Sequence, residues 1–326
     1  MNLALRRILQ SLLILTLIPF LLDVPAGANA SAETLLASGA APHARVIIIE
    51  GRRTVVAEAG AITDPALVLV HGFGGSTFGW RKVMEPLAAK GWHVVALDLP
   101  GFGLAEKGWG QAYDHQSQAR FVLSVMDEMN MDQAVLVGHS MGGNVVAWVA
   151  ALAPQRVRAL ALIDAAIVQP NPTPNSAAGA VLSISPLRRA ARILIRSAFT
   201  EQTFGELLRS AFAVTSAATP ETIRGYAAAS QLNDWDLALL GIFRDAGANA
   251  LPKPIETVVY GAGAPIPTLI LWGSADSWVP LPAGESLHLA LPNATYVVLP
   301  GLGHVPFEED STAFTSALQG WLAALD

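Results

Sequence analysis

The sequence predicts an α/β protein: a mostly parallel β-sheet with helices on both faces. Short, continuously apolar runs recur along the chain, which is typical of strands buried on both faces. Helical patterns separate these runs. One long stretch, residues 168–265, interrupts the alternation and divides the sheet region into two parts. Because strand and helix alternate elsewhere, neighbouring strands are expected to run parallel.

Eight predicted strands follow one another along the chain. RVIIIE and TVVAEA, joined near Gly51, indicate a β-hairpin. The six remaining strands are predicted at residues 66–72, 93–101, 133–139, 157–166, 267–273 and 294–301. Helices are predicted at residues 81–90, 115–129, from Ser140 to about Ala153, and from about Pro306 to the end.

Residues 168–265 are predicted to form a helical cap, or lid, inserted into the core. The stretch begins with the turn-rich sequence QPNPTPNS and continues with helical patterns. IETVVY at residues 255–260 is its one candidate strand. The stretch is far too long for a simple connection between a strand and its helix. The α/β core is therefore assigned to residues 31–167 and 266–326.

Residues 1–30 are predicted to be a secretory signal peptide or an N-terminal anchor. Arg6 and Arg7 precede the apolar run Ile8–Leu22, and a small-x-small pattern ends at Ala30. The run is shorter than the ~20 residues that span a bilayer, which favours cleavage after Ala30. An uncleaved membrane anchor is the alternative. Either way, we expect a protein exported to the periplasm or the outside of the cell.

The composition excludes several classes of function. A net charge of −6 leaves no broad basic surface for a nucleic-acid partner. The absence of cysteine excludes disulfides, thiol catalysis and cysteine-ligated zinc. An apolar fraction of 52% with 14% charged residues is that of a folded chain with a large core.

The sequence GHSMGG, residues 138–143, fits the pattern G-x-S-x-G. It follows a predicted buried strand and opens a predicted helix, which is the setting of a nucleophile elbow. A serine nucleophile needs a histidine base, and the histidine needs a carboxylate. Asp276 and His304 each follow a later strand, in the order that this chemistry requires. Asp164 also ends a strand and is the alternative acid.

An oxyanion hole is predicted from two backbone N–H groups. One belongs to Met141, directly after the predicted nucleophile. The other is assigned to Phe73 in HGFGG, which follows an early strand. His71 and His139 beside these motifs are predicted to be structural hydrogen-bonding residues.

Five motifs resemble those of the α/β-hydrolase family. HGFGG, DLPGFGLAEK, GHSMGG, WGSADSWVP and GLGHVPFEED occur in family order over residues 71–310. The chain is similar to the haloalkane dehalogenase, epoxide hydrolase and C–C hydrolase branches. The resemblance implies an eight-stranded sheet with a cap after the sixth strand, and it makes Trp80 a candidate pocket residue. Dehalogenases and epoxide hydrolases typically have aspartate at the elbow, so Ser140 favours serine hydrolysis.

We therefore expect a serine hydrolase that cleaves an apolar carboxylic ester, or a similar acyl substrate, through an acyl-enzyme. This chemistry requires no metal and no organic cofactor. A C–C bond hydrolase of the meta-cleavage-product type is one alternative, although FGGST stands where such enzymes usually carry G-P-G-A. A non-catalytic binding protein with the same fold is another.

A basic amphipathic helix is predicted at residues 185–199. Arg188, Arg192 and Arg196 recur every four positions, with Arg189 beside them. The preferred interpretation is a solvated helix whose arginines pair with acidic residues. The alternative is contact with an anionic membrane surface, either through this helix or through the N-terminal segment.

Overall fold

The structure is a computed structural model that describes residues 20, 22–25, 28–39, 43–170, 177–261 and 263–325. The described chain forms one eight-stranded sheet. The strands are β1 (Ala44–Ile49), β2 (Arg52–Ala59), β3 (Ala66–Val70), β4 (His93–Leu97), β5 (Ala134–His139), β6 (Val157–Ile163), β7 (Thr268–Gly273) and β8 (Thr295–Leu299). Their order across the sheet is β1-β2-β4-β3-β5-β6-β7-β8.

The sheet is mostly parallel, as the sequence predicts. β1 and β2 pair antiparallel as the predicted hairpin, and β2 pairs antiparallel with β4. From β4 to β8 every neighbouring pair is parallel. The carboxyl ends of these parallel strands therefore meet along one edge of the sheet, where a ligand site is expected in open α/β folds.

Helices cover both faces of the sheet. They are α1 (Ala32–Ala37), α2 (Met84–Ala88), α3 (His115–Glu128), α4 (Met141–Leu152), α5 (Ala177–Ser183), α6 (Ser185–Ala198), α7 (Glu201–Ser210), α8 (Pro220–Ala227), α9 (Trp235–Asp245), α10 (Ile255–Tyr260), α11 (Leu281–Ala290), α12 (Pro306–Glu309) and α13 (Ser311–Leu322). Alternate residues of β3 enter different cores: Val68 packs with α3 and α4, and Leu69 packs with α2 and α13. This two-sided burial explains the continuous apolar runs of the strands.

The long interruption of the sheet lies between β6 and β7 and contains α5 to α10. The prediction of IETVVY as a candidate strand is wrong, because residues 255–260 form α10. Its residues Ile255, Val258 and Val259 are buried, a spacing of three and four that matches a helical face. An apolar run this short does not distinguish a strand from a buried helix.

Two further helix predictions need correction. The helix predicted from Pro306 to the end consists of α12 and α13, which are separated at Asp310. The Asp310 side chain accepts a hydrogen bond from the Ala313 N–H and so caps the second helix. The helix predicted at residues 81–90 is reduced to the short α2, which follows a 3₁₀ turn at Thr77–Trp80.

The N-terminal prediction falls largely outside the described residues, since only Phe20 and Leu22 of the apolar run Ile8–Leu22 are described. The parts that are described contact the segment between β6 and β7. Arg196 of α6 donates a hydrogen bond to the carbonyl oxygen of Pro25 at 2.8 Å, and the Ala30 N–H donates to the carbonyl oxygen of Gln231 at 3.0 Å. Among the described helices, none has the length and apolarity needed to cross a membrane.

Candidate active site

Ser140 lies in a strained turn between β5 and α4. Its φ of 53° and ψ of −120° fall outside the regions that residues with side chains normally occupy. Backbone hydrogen bonds hold it there: its N–H donates to Ile163 at the end of β6, and its carbonyl accepts from Gly143 and Ala166. Only 8% of Ser140 is exposed. The turn places the serine at the carboxyl edge of the sheet, at the N-terminus of α4.

Asp276 and His304 are joined directly. The Nδ1 of His304 donates to Oδ2 of Asp276 at 2.7 Å, and both side chains are buried. The second oxygen, Oδ1, accepts from the backbone N–H groups of Trp278 and Val279. The structure thus brings the predicted acid and the predicted base together, although 28 residues separate them along the chain.

The region around Ser140 is connected to this pair through His139. The His139 Nε2 donates to the carbonyl oxygen of His304 at 2.6 Å, and the two imidazole rings lie 4.8 Å apart. Burial lowers the pKa of His139 well below its ordinary value, and a charge on His304 would lower it further. In the described part of the chain, the hydrogen bonds of Ser140 are formed by its backbone.

Asp164, the alternative acid, lies at the end of β6 and is fully buried. Its Oδ1 accepts a hydrogen bond from the Gly273 N–H at 2.8 Å. Burial raises its pKa well above the ordinary value, and the neighbouring Asp276 raises it further. A raised pKa favours the neutral carboxyl, whereas the partner of the base must be charged to stabilise an imidazolium.

The predicted oxyanion loop is fixed by His71, which the sequence predicts to be structural, and by Asp98. The Leu99 N–H donates to Nε2 of His71, so the opposite nitrogen, Nδ1, carries the proton and donates to the Gly72 carbonyl at 2.8 Å. Asp98 accepts from the backbone N–H groups of Thr77 and Leu104, each at 2.6 Å. These bonds hold both ends of the segment that contains Phe73.

An apolar cavity of about 340 Å³ opens beside this site. His304 and Phe73 line it on the sheet side. The opposite wall is formed by aromatic and aliphatic side chains of the helices between β6 and β7: Ile195, Phe199, Phe204, Leu207, Leu208, Trp235, Leu239, Ile242 and Phe243. Trp80 also borders the cavity but is fully buried and stacks on Phe307 at 4.4 Å. The site can therefore accept an apolar group next to a hydrogen-bonded histidine.

Two residues near the site form contacts that the sequence does not predict. Trp278 contacts both Asp276 and His304, and its place two residues after Asp276 could have marked it. Glu308 is buried and forms ion pairs with Arg81 and Lys82, which connects the loop of His304 to the segment after Trp80. No sequence pattern links these charges. The described residues contain no cluster of three or more acidic or histidine side chains that could hold a metal ion.

The family model for the alpha/beta hydrolase fold matches residues 65–311. The chain therefore belongs to the α/β-hydrolase family and is a hydrolytic enzyme of that family. Lipase 3 of Moraxella sp. (strain TA144) is 27% identical, covering 80% of this chain and 78% of the lipase. A 2-hydroxy-6-oxononadienedioate hydrolase of Cupriavidus pinatubonensis (strain JMP 134 / LMG 1197) is 26% identical, covering 81% of this chain and 88% of that enzyme.

A solved structure extends the similarity to nearly the whole chain. It is a membrane phospholipase A, described as a bacterial virulence factor, with 26% identity and a TM-score of 0.69. The match covers 98% of this chain and 99% of the phospholipase.

Proposed function

We propose that the protein is a serine hydrolase that cleaves carboxylic esters with apolar acyl groups. The observation that carries the proposal is the hydrogen bond between His304 and Asp276, which lies beside the strained turn at Ser140. His304 also lines an apolar cavity. The similarity to a lipase and a phospholipase agrees with this substrate class.

In this mechanism the Ser140 hydroxyl attacks the ester carbonyl while His304 accepts its proton. Asp276 keeps the proton of the neutral imidazole on Nδ1, so that Nε2 can act as the base, and it stabilises the imidazolium. The N–H groups of Phe73 and Met141 stabilise the oxyanion. His304 then protonates the leaving alcohol, and water attacks the acyl-enzyme to release the acid and regenerate Ser140. Among the described residues the Phe73 N–H meets no acceptor, which leaves it available for this role.

The proposal is tested with p-nitrophenyl esters from acetyl to palmitoyl and with a fluorophosphonate probe. We expect hydrolysis by the wild type, and we expect Ser140→Ala to lower kcat by roughly 10⁴ or more. The probe should label the wild type and not the variant. Equal rates for the two proteins, or an unlabelled wild type, would contradict the proposal and favour a non-catalytic binding protein.

Hydrolysis of a carbon–carbon bond is the second candidate, because one relative is a dienedioate hydrolase. Such a substrate carries carboxylates, which need cationic partners. Among the described residues that line the cavity, Lys107 is the only lysine or arginine. Its ammonium donates to the carbonyl oxygens of Phe102 and Gly103. The apolar lining of the cavity therefore favours an ester substrate over a dicarboxylate. Assaying a ring-fission dienoate beside p-nitrophenyl butyrate distinguishes the two reactions.

We also propose that residues 168–265 act as the cap, and that the enzyme is exported and meets its substrate at a lipid surface. Arg192 and Arg196 of α6 bind the buried Asp236 at 2.6 and 2.8 Å, as the preferred interpretation of acid-paired arginines predicts. The apolar residues Leu187 and Leu194 are instead 41% and 70% exposed.

Co-sedimentation with anionic liposomes tests the lipid contact. We expect Leu187→Gln combined with Leu194→Gln to reduce binding, because exposed apolar side chains supply most of the affinity for an interface. Leu289→Gln is the control, since Leu289 is 81% exposed on α11. Liposome binding that is unchanged in the double variant would show that α6 does not form the contact.

The contacts of Leu22 and Pro25 with α6 favour a retained N-terminal segment. The intact mass of the exported protein decides between retention and cleavage.

A further inference from the structure

The end of α7 contacts both loops that carry the predicted acid and base. The carbonyl oxygen of Ala211 accepts a hydrogen bond from the backbone N–H of His304 at 2.9 Å. On the acid side, the Ser277 hydroxyl donates to the carbonyl oxygen of Ser210 at 3.0 Å. A segment that lies between β6 and β7 in sequence therefore holds the loops that follow β7 and β8.

The side chain of Trp278 completes this connection. Its indole Nε1 donates to the Ser210 hydroxyl at 3.0 Å. Its ring lies 5.3 Å from the imidazole of His304, centroid to centroid, with 32° between the ring planes. Its backbone N–H donates to Oδ1 of Asp276 at 2.7 Å. One tryptophan thus contacts both members of the acid–base pair and is fixed by a hydroxyl on α7.

Glu309 joins the segment that follows α7 to the loop that carries His304. Its two carboxylate oxygens accept hydrogen bonds from the N–H groups of Gly303 and Val214, at 2.9 and 2.7 Å. Leu208 and Ala211 line the cavity, so a molecule bound there contacts this end of α7. The substrate wall and the support of His304 are therefore parts of one element.

We propose that Ser210 and Trp278 are a pair of positioning residues, through which the end of α7 holds the imidazole of His304 in line with Asp276. The inference rests on the serine hydrolase mechanism proposed above and adds a connection between its cavity and its base. A reacting histidine works only within a narrow range of orientations, so loosening the tryptophan lowers the rate of the chemical step. Trp278 itself borders the cavity, whereas Ser210 does not, so a change confined to the Ser210 hydroxyl should alter substrate binding little.

Ser210→Ala and Trp278→Phe remove the same hydrogen bond from opposite sides, and both keep the surrounding backbone bonds. With p-nitrophenyl butyrate we expect Ser210→Ala to lower kcat on the order of fivefold, the effect of one neutral hydrogen bond, while KM stays within about twofold. Ser210→Thr, which retains the hydroxyl, should restore kcat. In the double variant, kcat should fall no further than in the slower single variant, because the two residues share one interaction.

Ser286→Ala is the matched control. Ser286 is exposed on α11, and its hydroxyl, like that of Ser210, also donates to a carbonyl of its own helix, at 2.8 Å. A Ser210→Ala variant with the kcat of this control, or rate losses that multiply fully in the double variant, would overturn the inference. Activity that depends on Ser140 in the same assays shows that the mechanism itself stands. A wild type as slow as Ser140→Ala overturns both proposals.

Discussion

The carboxylate of Asp276 accepts the Nδ1 proton of His304 at 2.7 Å, while its other oxygen accepts two backbone N–H groups. Three donors therefore fix one buried carboxylate. Asp164, in contrast, accepts one bond from Gly273, and among the described residues its other oxygen, Oδ2, is buried and meets no donor. The two aspartates lie at neighbouring strand ends and differ in the number of N–H donors around them, and only Asp276 is hydrogen-bonded to His304.

Replacing each aspartate by asparagine distinguishes their roles. Asp276→Asn should lower kcat on the order of 10⁴-fold, because the amide cannot hold the Nδ1 proton as a carboxylate does. Asp164→Asn should change kcat by no more than about threefold, since His304 is hydrogen-bonded to Asp276 and burial raises the pKa of Asp164, which favours a neutral carboxyl that an amide can replace. The measurement is kcat on p-nitrophenyl butyrate at neutral pH. A larger loss of kcat in Asp164→Asn than in Asp276→Asn would identify Asp164, at the end of β6, as the catalytic acid.

A larger side chain at Gly142 should disturb the turn at Ser140. A Cβ atom there would collide with the carbonyl oxygens of Val70 and His71. Gly142→Ala should therefore lower the free energy of unfolding by about 2 kcal/mol and reduce activity as the turn shifts. Gly320→Ala is the control: no atom lies within 4 Å of the added Cβ, and α13 should gain up to about 1 kcal/mol. Urea denaturation measures both, and a Gly142→Ala variant as stable as the wild type would refute the prediction.

Asp236 should stabilise the helices over the cavity in a pH-dependent manner. Burial opposes its ionisation, but hydrogen bonds from Arg196 and Arg192 keep its pKa below the ordinary 3.8. Asp236→Asn should therefore cost about 3 kcal/mol at pH 7 by leaving two arginines without their buried partner. A carboxyl whose pKa is lower in the folded state stabilises the fold at pH values above its ordinary pKa. This contribution is lost as the pH falls through the lowered pKa of the folded state.

The difference in stability between the wild type and Asp236→Asn should accordingly narrow below about pH 4. Asp234→Asn is the control, because that residue is half exposed in its ion pair with Arg192, and less than about 1 kcal/mol is expected. Thermal unfolding between pH 3 and pH 8 provides the measurement. A difference that stays constant over this range would show that the ion pairs contribute nothing specific.

Much of the fold could be predicted from the sequence because the strands are buried on both faces. β3, β5 and β7 are short apolar runs, and each lies within its predicted range. The prediction of IETVVY as a strand failed because α10 is only six residues long, and apolar spacing over so short a run does not distinguish a buried helix from a strand. The break between α12 and α13 escaped prediction because it depends on one capping side chain, that of Asp310.

The sequence by itself determined the α/β class, the positions of the strands along the chain and the candidates Ser140, Asp276 and His304, since these follow from local hydrophobicity and from short motifs. Only the tertiary structure decided which aspartate meets the histidine, which side of α6 faces water, and that Ser210 supports Trp278. The physical reason is that these relations join residues that are distant in the chain. The charge and the hydrogen bonds of these residues depend on how close they come to one another and how deeply they are buried, and no single segment of the sequence specifies either property.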